Sequence, residues 1–180
     1  MKRFMGVILI LLLIGGASAC DFKENTKEMS NRETVQLIKS IDGDTIKVNY
    51  EGREKTVRYL LVDTPETKKP NSCVQPYGKS ASQRNSQIVK SGKLELEFDK
   101  GEHVDKYGRL LAYVYVNGKS VQETLLKEGL ARVAYVYPPN TKYLDQFKDA
   151  EQYAKDKKTA IWSKSNFATD RGFRGCVSQG

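Results

Sequence analysis

Ile41-Asp42-Gly43-Asp44-Thr45-Ile46-Lys47-Val48-Asn49-Tyr50-Glu51-Gly52 and, shortly after it, Arg58-Tyr59-Leu60-Leu61-Val62-Asp63-Thr64-Pro65-Glu66-Thr67 decide how this chain folds. Ile46, Val48 and Tyr50 alternate with Lys47 and Asn49, the period of a strand with one buried and one wet face. Asp42-Gly43 is a tight-turn signal between this run and a β-rich run over residues 34–41, and Glu51-Gly52 ends it before a third run over 55–62. A three-stranded meander is the expected result. The third run finishes as Leu60-Leu61-Val62, apolar on both faces, which predicts a strand end deep in the core with Asp63 emerging at its rim; Thr64-Pro65 then stops the strand. Such a return brings Asp44, Asp63, Glu66 and Arg58 towards one mouth. Three carboxylates beside one guanidinium suit a hard metal ion next to a phosphate.

Further along, helical spacing predicts a helix over 77–91 that Gly92 terminates. Leu94, Leu96 and Phe98 alternate with Glu95 and Glu97 in a fourth strand, and residues 110–116 make a fifth before the Asn117-Gly118 turn. Val121, Leu125 and Leu126 mark a short helix closed by Gly129, while Leu144, Phe147, Ala150 and Ala154 mark a longer one over 143–158. Five strands with one helix after the third and others at the C-terminus predict an α+β fold: an OB-type five-stranded β-barrel with about three α-helices. One domain over 34–163 is expected, followed by a tail over 164–180, and no internal repeat is present.

The first residues read as an export signal. Lys2 and Arg3 precede an apolar run over 7–14 and a small-residue stretch over 15–19, too short for a comfortable membrane span. Ala17-Ser18-Ala19-Cys20 fits either cleavage after Ala19 or processing that leaves a lipidated Cys20, with Ala17 standing where a lipobox usually has Leu. The polar stretch over 20–33 reads as a tether. An exported protein is therefore expected, either a membrane lipoprotein facing outward or a secreted one. In that oxidising setting Cys73 and Cys176 either form a bridge or stay as two thiols. The net charge is +8, and losing Lys2 and Arg3 leaves +6, so the mature chain favours polyanions such as nucleic acid, acidic glycan or anionic lipid.

Asp44 and Asp63 can supply the two carboxylates that a divalent oxygen-ligated ion needs, although Asp42-Gly43-Asp44 is equally the make-up of a plain turn. A zinc site is excluded because His103 is the only histidine and the cysteines lack paired spacing. Arg58 lies in an apolar strand, where an unpaired guanidinium is costly, so it meets either a carboxylate or an incoming phosphate. Arg109 ends the charged Asp105-Lys106-Tyr107-Gly108-Arg109 loop and can reach the same mouth. Two arginines and a dication neutralise a phosphodiester, and a remaining carboxylate can activate water. Tyr135-Val136-Tyr137 alternates, which puts both rings on one face, suited to packing or to base stacking.

Taken together, Ile41-Asp42-Gly43-Asp44-Thr45, the run from Arg58 to Thr67, Asp105-Lys106-Tyr107-Gly108-Arg109-Leu110-Leu111-Ala112-Tyr113 and Ala134-Tyr135-Val136-Tyr137 closely resemble the thermonuclease (staphylococcal nuclease) family, over about 34–162. The resemblance implies an OB-fold enzyme that uses calcium to hydrolyse the 5′-side P–O bond of DNA and RNA, leaving 3′-phosphate ends. It implies that Asp44, Asp63 and the Thr64 carbonyl hold Ca2+, with Asp42 in support. Glu66 then acts as general base and Arg58 and Arg109 as phosphate clamps. It further implies that Lys106 and Tyr107 contact a terminal phosphate and that Tyr135 and Tyr137 flank the nucleotide. A monomer is expected. The departures are the loop over 68–76, which carries Cys73, and the tail with Cys176. Two rivals make different predictions: a non-catalytic OB-fold module that binds nucleic acid, and a basic surface lipoprotein with a structural calcium site.

Overall fold

The alternating run after the Asp42 turn is a strand, and the barrel grows from it. The structure, a computed structural model, describes residues 31–67 and 73–177. The export signal, Cys20, most of the tether and part of the 68–76 loop lie outside the described residues. In chain order the elements are β1 (Arg32–Ser40), β2 (Thr45–Tyr50), β3 (Arg53–Tyr59), β4 (Val62–Asp63), α1 (Gly78–Val89), β5 (Leu94–Glu97) and β6 (Leu110–Val116). They continue as β7 (Lys119–Ser120), α2 (Val121–Lys127), β8 (Arg132–Val133), α3 (Leu144–Asp156), β9 (Ala168–Thr169) and β10 (Gly172–Phe173).

β1, β2 and β3 form the antiparallel meander, with Ile46 opposite Val57 and Val48 opposite Lys55. β1 also pairs antiparallel with β5, and β5 with β6. Parallel pairing of β3 with β6, Val57 opposite Leu110 and Tyr59 opposite Ala112, closes the ring. A closed five-stranded barrel leaves no open edge among these strands. With three helices packed around it, the fold is α+β of the OB type. Ile46, Val48, Val57, Leu96, Ala112 and Val114 are fully buried inside it. Each large apolar side chain among them contributes about 1.5–3 kcal/mol by leaving water.

The third strand differs from its expected course. It stops at Tyr59, Leu60 and Leu61 turn, and the chain re-enters a sheet as β4, which pairs with β8. Leu61 takes a left-handed backbone at φ 63, which costs a leucine about 1–2 kcal/mol. Burial of its side chain and a hydrogen bond from Ala134 N–H to its carbonyl at 3.0 Å hold it there. This turn redirects Asp63 away from the barrel strand and towards the start of β2. The first strand begins at Arg32, two residues earlier than its pattern predicts, because Arg32 and Glu33 pair with Glu97 and Leu96 of β5.

α1 presents Ala81, Asn85 and Val89, one turn apart, to the barrel. α2 is capped by the Ser120 hydroxyl, which accepts from Glu123 N–H at 3.2 Å, and its buried Gln122 bonds both Val114 N–H and the Ala112 carbonyl of β6. α3 buries Phe147, Ala150 and Ala154, the spacing that identifies it in the sequence. Among the described residues no helix is long and apolar enough to cross a membrane.

The residues after Ser163, which read as a tail, form the small hairpin β9–β10, and Phe167 is buried against the Tyr77 and Phe173 rings at 6.2 and 5.5 Å. Cys73 and Cys176 form a disulfide that closes a loop of 103 residues in sequence separation. On chain-entropy grounds a crosslink of that span stabilises by about 4–5 kcal/mol.

Candidate active site

The pairing of β2 with β3 puts Thr45 opposite Arg58, so the turn preceding β2 and the end of β3 share one rim of the barrel. Tyr59 N–H donates to the Asp44 carbonyl at 3.0 Å and locks the two together. Gly43 is required here by space: a Cβ on it would lie 2.5 Å from the Thr64 hydroxyl oxygen. That close approach lets Thr64 donate both its N–H and its hydroxyl to Asp44 Oδ2, each at 3.0 Å. Asn85 of α1, fully buried, supports the rim from below; it accepts from the Tyr59 hydroxyl at 2.8 Å and donates to the Asp42 carbonyl at 2.7 Å.

Arg58 lies between two carboxylates. Its Nη1 is 3.3 Å from Asp44 Oδ2 and its Nη2 is 3.7 Å from Asp63 Oδ1, while the Tyr59 carbonyl accepts from Nη1 at 3.2 Å. The guanidinium also stands 5.3 Å from the Tyr135 ring centre. Of the two partners open to it from sequence, carboxylate or phosphate, the protein itself supplies the carboxylates. Burial, helped by Asp44, pushes the Asp42 carboxyl up to about 6. Burial likewise raises Asp63, against the opposing pull of Arg132. Burial more than mutual repulsion sets both shifts, and Asp42, Asp44 and Asp63 share this rim with Arg58 and Arg132.

Glu66 follows on a loop held by Gln75. Gln75 Oε1 accepts from Glu66 N–H at 2.8 Å, and Gln75 N–H donates to the Glu66 carbonyl at 2.9 Å. Gly78, at the start of α1, comes so close to this backbone that a Cβ would lie 2.6 Å from the Glu66 carbonyl oxygen. Arg109 approaches from the loop before β6. Asp105 accepts from its Nε at 2.7 Å and from its backbone N–H at 3.0 Å, which turns the loop and aims the guanidinium. Burial alone would raise Asp105, yet these bonds from Arg109 hold its carboxyl below the usual range. Asn140 fixes the start of the same loop, accepting from Gly101 N–H at 2.8 Å and donating to the Glu102 carbonyl at 3.0 Å.

Asp44, Arg58, Asp63, Thr64, Glu66, Lys106, Tyr107, Arg109, Tyr135 and Tyr137 all line one cleft of about 1010 Å³. The two late tyrosines reach it differently from the alternation argument. Residues 134–137 form no strand, and Tyr135 sits in a left-handed backbone at φ 54. Tyr107 and Tyr137 are exposed at 71% and 70%, rings offered to solvent rather than packed in a core.

Sequence reasoning misses Arg132, whose Nε and Nη2 bond Asp63 Oδ2 at 3.0 and 2.8 Å. Its signal was available, because Arg132 interrupts the apolar run Leu130-Ala131-Arg132-Val133-Ala134 just as Arg58 interrupts its strand. Gln75 and Asn85 carry no comparable signal. Among the described residues no three His, Cys, Asp or Glu side chains converge as a metal cluster. The donors at hand are the carboxylates of Asp44 and Asp63 and nearby backbone carbonyls. That is an all-oxygen set, which fits a hard cation that keeps much of its water and does not fit zinc.

Residues 56–164 match the family model described as staphylococcal nuclease homologue. The chain is 71% identical over 154 residues to endonuclease YncB of Bacillus subtilis, covering 86% of this chain and 72% of that protein. It is 73% identical over 145 residues to SPbeta prophage-derived endonuclease YokF of the same organism, covering 81% of this chain and 49% of that protein, so it spans about half of that relative's length. Thermonuclease of Staphylococcus hyicus is 42% identical over 159 residues, 88% of this chain and 93% of that protein. A barrel closed by β3 and β6, a family match that runs from within β3 past the end of α3, and 42% identity across 93% of a thermonuclease leave one assignment: this chain belongs to the staphylococcal nuclease family.

Proposed function

We propose that this protein is an exported, calcium-dependent nuclease that hydrolyses phosphodiester bonds of DNA and RNA and leaves 3′-phosphate ends. The observation that carries the reading is the meeting of Asp44, Asp63, Glu66, Arg58 and Arg109 on one cleft. The names of its relatives, endonuclease and thermonuclease, support it. Asp44, Asp63 and the Thr64 carbonyl would hold calcium, which supplies divalent positive charge beside the scissile phosphate. Arg58 and Arg109 bind the non-bridging phosphate oxygens and neutralise the charge that builds in the pentacovalent transition state. Glu66 takes a proton from the attacking water as its oxygen bonds to phosphorus, and as the bond to the 5′-oxygen breaks that oxygen takes a proton from solvent water and leaves as the 5′-hydroxyl. Lys106 and Tyr107 hold a terminal phosphate, and Tyr135 and Tyr137 give sequence-tolerant faces for the sugar and base.

The test is digestion of single- and double-stranded DNA and of RNA by the purified chain, with calcium and with chelator, followed by labelling of the product ends. Calcium-dependent cleavage to 3′-phosphates is expected. Binding without cleavage would favour the non-catalytic module, and undiminished cleavage in chelator would remove calcium from the reading. The export signal and a lipid on Cys20 are proposed from the sequence alone; mass spectrometry of the mature N-terminus separates a lipidated Cys20 from a plain cleavage.

A further inference from the structure

Gln75 is engaged on two sides. Its side-chain oxygen and backbone N–H hold Glu66, and its Nε2 donates to the Phe173 carbonyl of β10 at 3.1 Å. Two residues before it, Cys73 is bonded to Cys176, and the Val74 carbonyl accepts from Val177 N–H at 2.8 Å. The same C-terminal segment meets the other side of the cleft through Arg132. Its Nη1 donates to the Asp170 carbonyl at 3.4 Å and its guanidinium stands 5.5 Å from the Phe173 ring centre, while Nε and Nη2 hold Asp63. One short segment thus contacts the supports of two cleft carboxylates, Asp63 at the end of β4 and Glu66 three residues beyond it.

We propose that residues 168–177 form a strap that sets the position of Glu66 through Gln75, a positioning residue, with the Cys73–Cys176 bond as its clasp. The proposal rests on the reading of Glu66 as the base. Opening the clasp frees the strap from the Glu66 loop, the Gln75 amide loses its fixed anchor on Phe173, and Glu66 samples positions away from the attacking water. Displacement of a catalytic group by about 1 Å lowers turnover by up to about a hundredfold while leaving substrate binding nearly intact.

Two readouts test this on the purified chain, comparing the parent with Cys73→Ser/Cys176→Ser, Gln75→Ala and the combination. In steady-state cleavage kcat is expected to fall about tenfold or more in the first two, with KM within about twofold, and no further in the combination, because all act on one contact. In hydrogen exchange the Glu66 amide is expected to lose protection in all three while α2 and α3 keep theirs. If opening the disulfide unfolds the chain, Gln75→Ala alone still decides, since it leaves the clasp in place. Unchanged kcat and unchanged Glu66 exchange in Gln75→Ala would overturn the strap, as would losses that simply add. A parent that cleaves nothing, yet shows the exchange pattern, overturns the nuclease reading instead and reduces the strap to a structural tie.

Discussion

Arg132 gives two hydrogen bonds to a single oxygen of Asp63, from Nε at 3.0 Å and Nη2 at 2.8 Å. Both side chains are largely buried, at 9% and 16% exposure, so the pair is shielded from solvent screening. Removing Arg132 leaves a half-desolvated Asp63 with only the longer Arg58 contact at 3.7 Å to balance its charge. Arg132→Ala is therefore expected to lower unfolding free energy by about 3 kcal/mol, read by urea titration. Arg132→Lys keeps the charge but not the two-pronged geometry, so it should recover only part of the loss.

Arg109 is anchored by Asp105 and its side chain is one-third exposed. Its contribution to stability is accordingly small, while its proposed contribution to the transition state is large. Arg109→Ala should lower kcat by about 10²–10³-fold and shift unfolding free energy by no more than about 1 kcal/mol. Glu66→Gln should show the same separation. Lysine at position 109 should rescue poorly, because a point charge does not reproduce two parallel N–H bonds to phosphate oxygens. Full turnover in either variant removes that residue from the machinery.

Calcium bound to the folded state raises the melting temperature by mass action, by an amount that grows with concentration. A rise on calcium addition is expected for the parent, larger when a nucleotide phosphate is also present. Asp44→Asn and Asp63→Asn each remove one of the two carboxylates and should weaken the calcium response at least about tenfold in midpoint concentration. A melting temperature indifferent to calcium over the millimolar range would sink the cation assignment.

Much of the barrel is legible from period alone. β2 and β6 coincide with their predicted runs, and α3 falls within two residues of its own, because their buried residues recur at strict strand or helix spacing. The turn at Leu60-Leu61 is invisible in that sense: both residues are apolar, and a left-handed leucine has no marker in sequence. The cleft residues are legible because three of the motifs carry charge at the ends of apolar runs, where a strand must surface. Arg132 obeys that rule too, but its partner Asp63 is distant in sequence, so nothing local ties it to the cleft. The strap was illegible for another reason. Gly, Ser and Arg around Cys176 look like an unstructured tail, and it is contacts with residues distant in sequence, the disulfide, the Tyr77 ring and the bonds to Gln75 and Arg132, that give that stretch its shape.

Away from the cleft, Glu97 and Asp99 make the acid limb of stability. Burial alone would raise both carboxyls. Against it, Glu97 accepts from Lys142 Nζ at 2.6 Å, the Tyr143 hydroxyl at 2.8 Å and Arg32 Nε at 3.2 Å, and these bonds bring it below the usual range. Asp99 is lowered likewise by Lys142 N–H at 2.9 Å, the Tyr113 hydroxyl at 2.7 Å and Lys100 N–H at 2.8 Å. For a carboxyl depressed in the folded state, the folded form binds fewer protons than the unfolded chain. Its contribution is complete above the unfolded value, about 4, and disappears as pH falls through the lower folded value. In melts from neutral pH downward Glu97 and Asp99 should therefore keep their full contribution to about pH 4 and lose it steeply below, whereas Asp42, raised in the folded state, adds stability as pH falls through about 6. Glu97→Gln and Asp99→Asn should each be less stable at neutral pH and show a shallower acid limb, because the group that titrates is gone. Acid limbs as steep as the parent's in both variants would place the acid sensitivity elsewhere in the molecule.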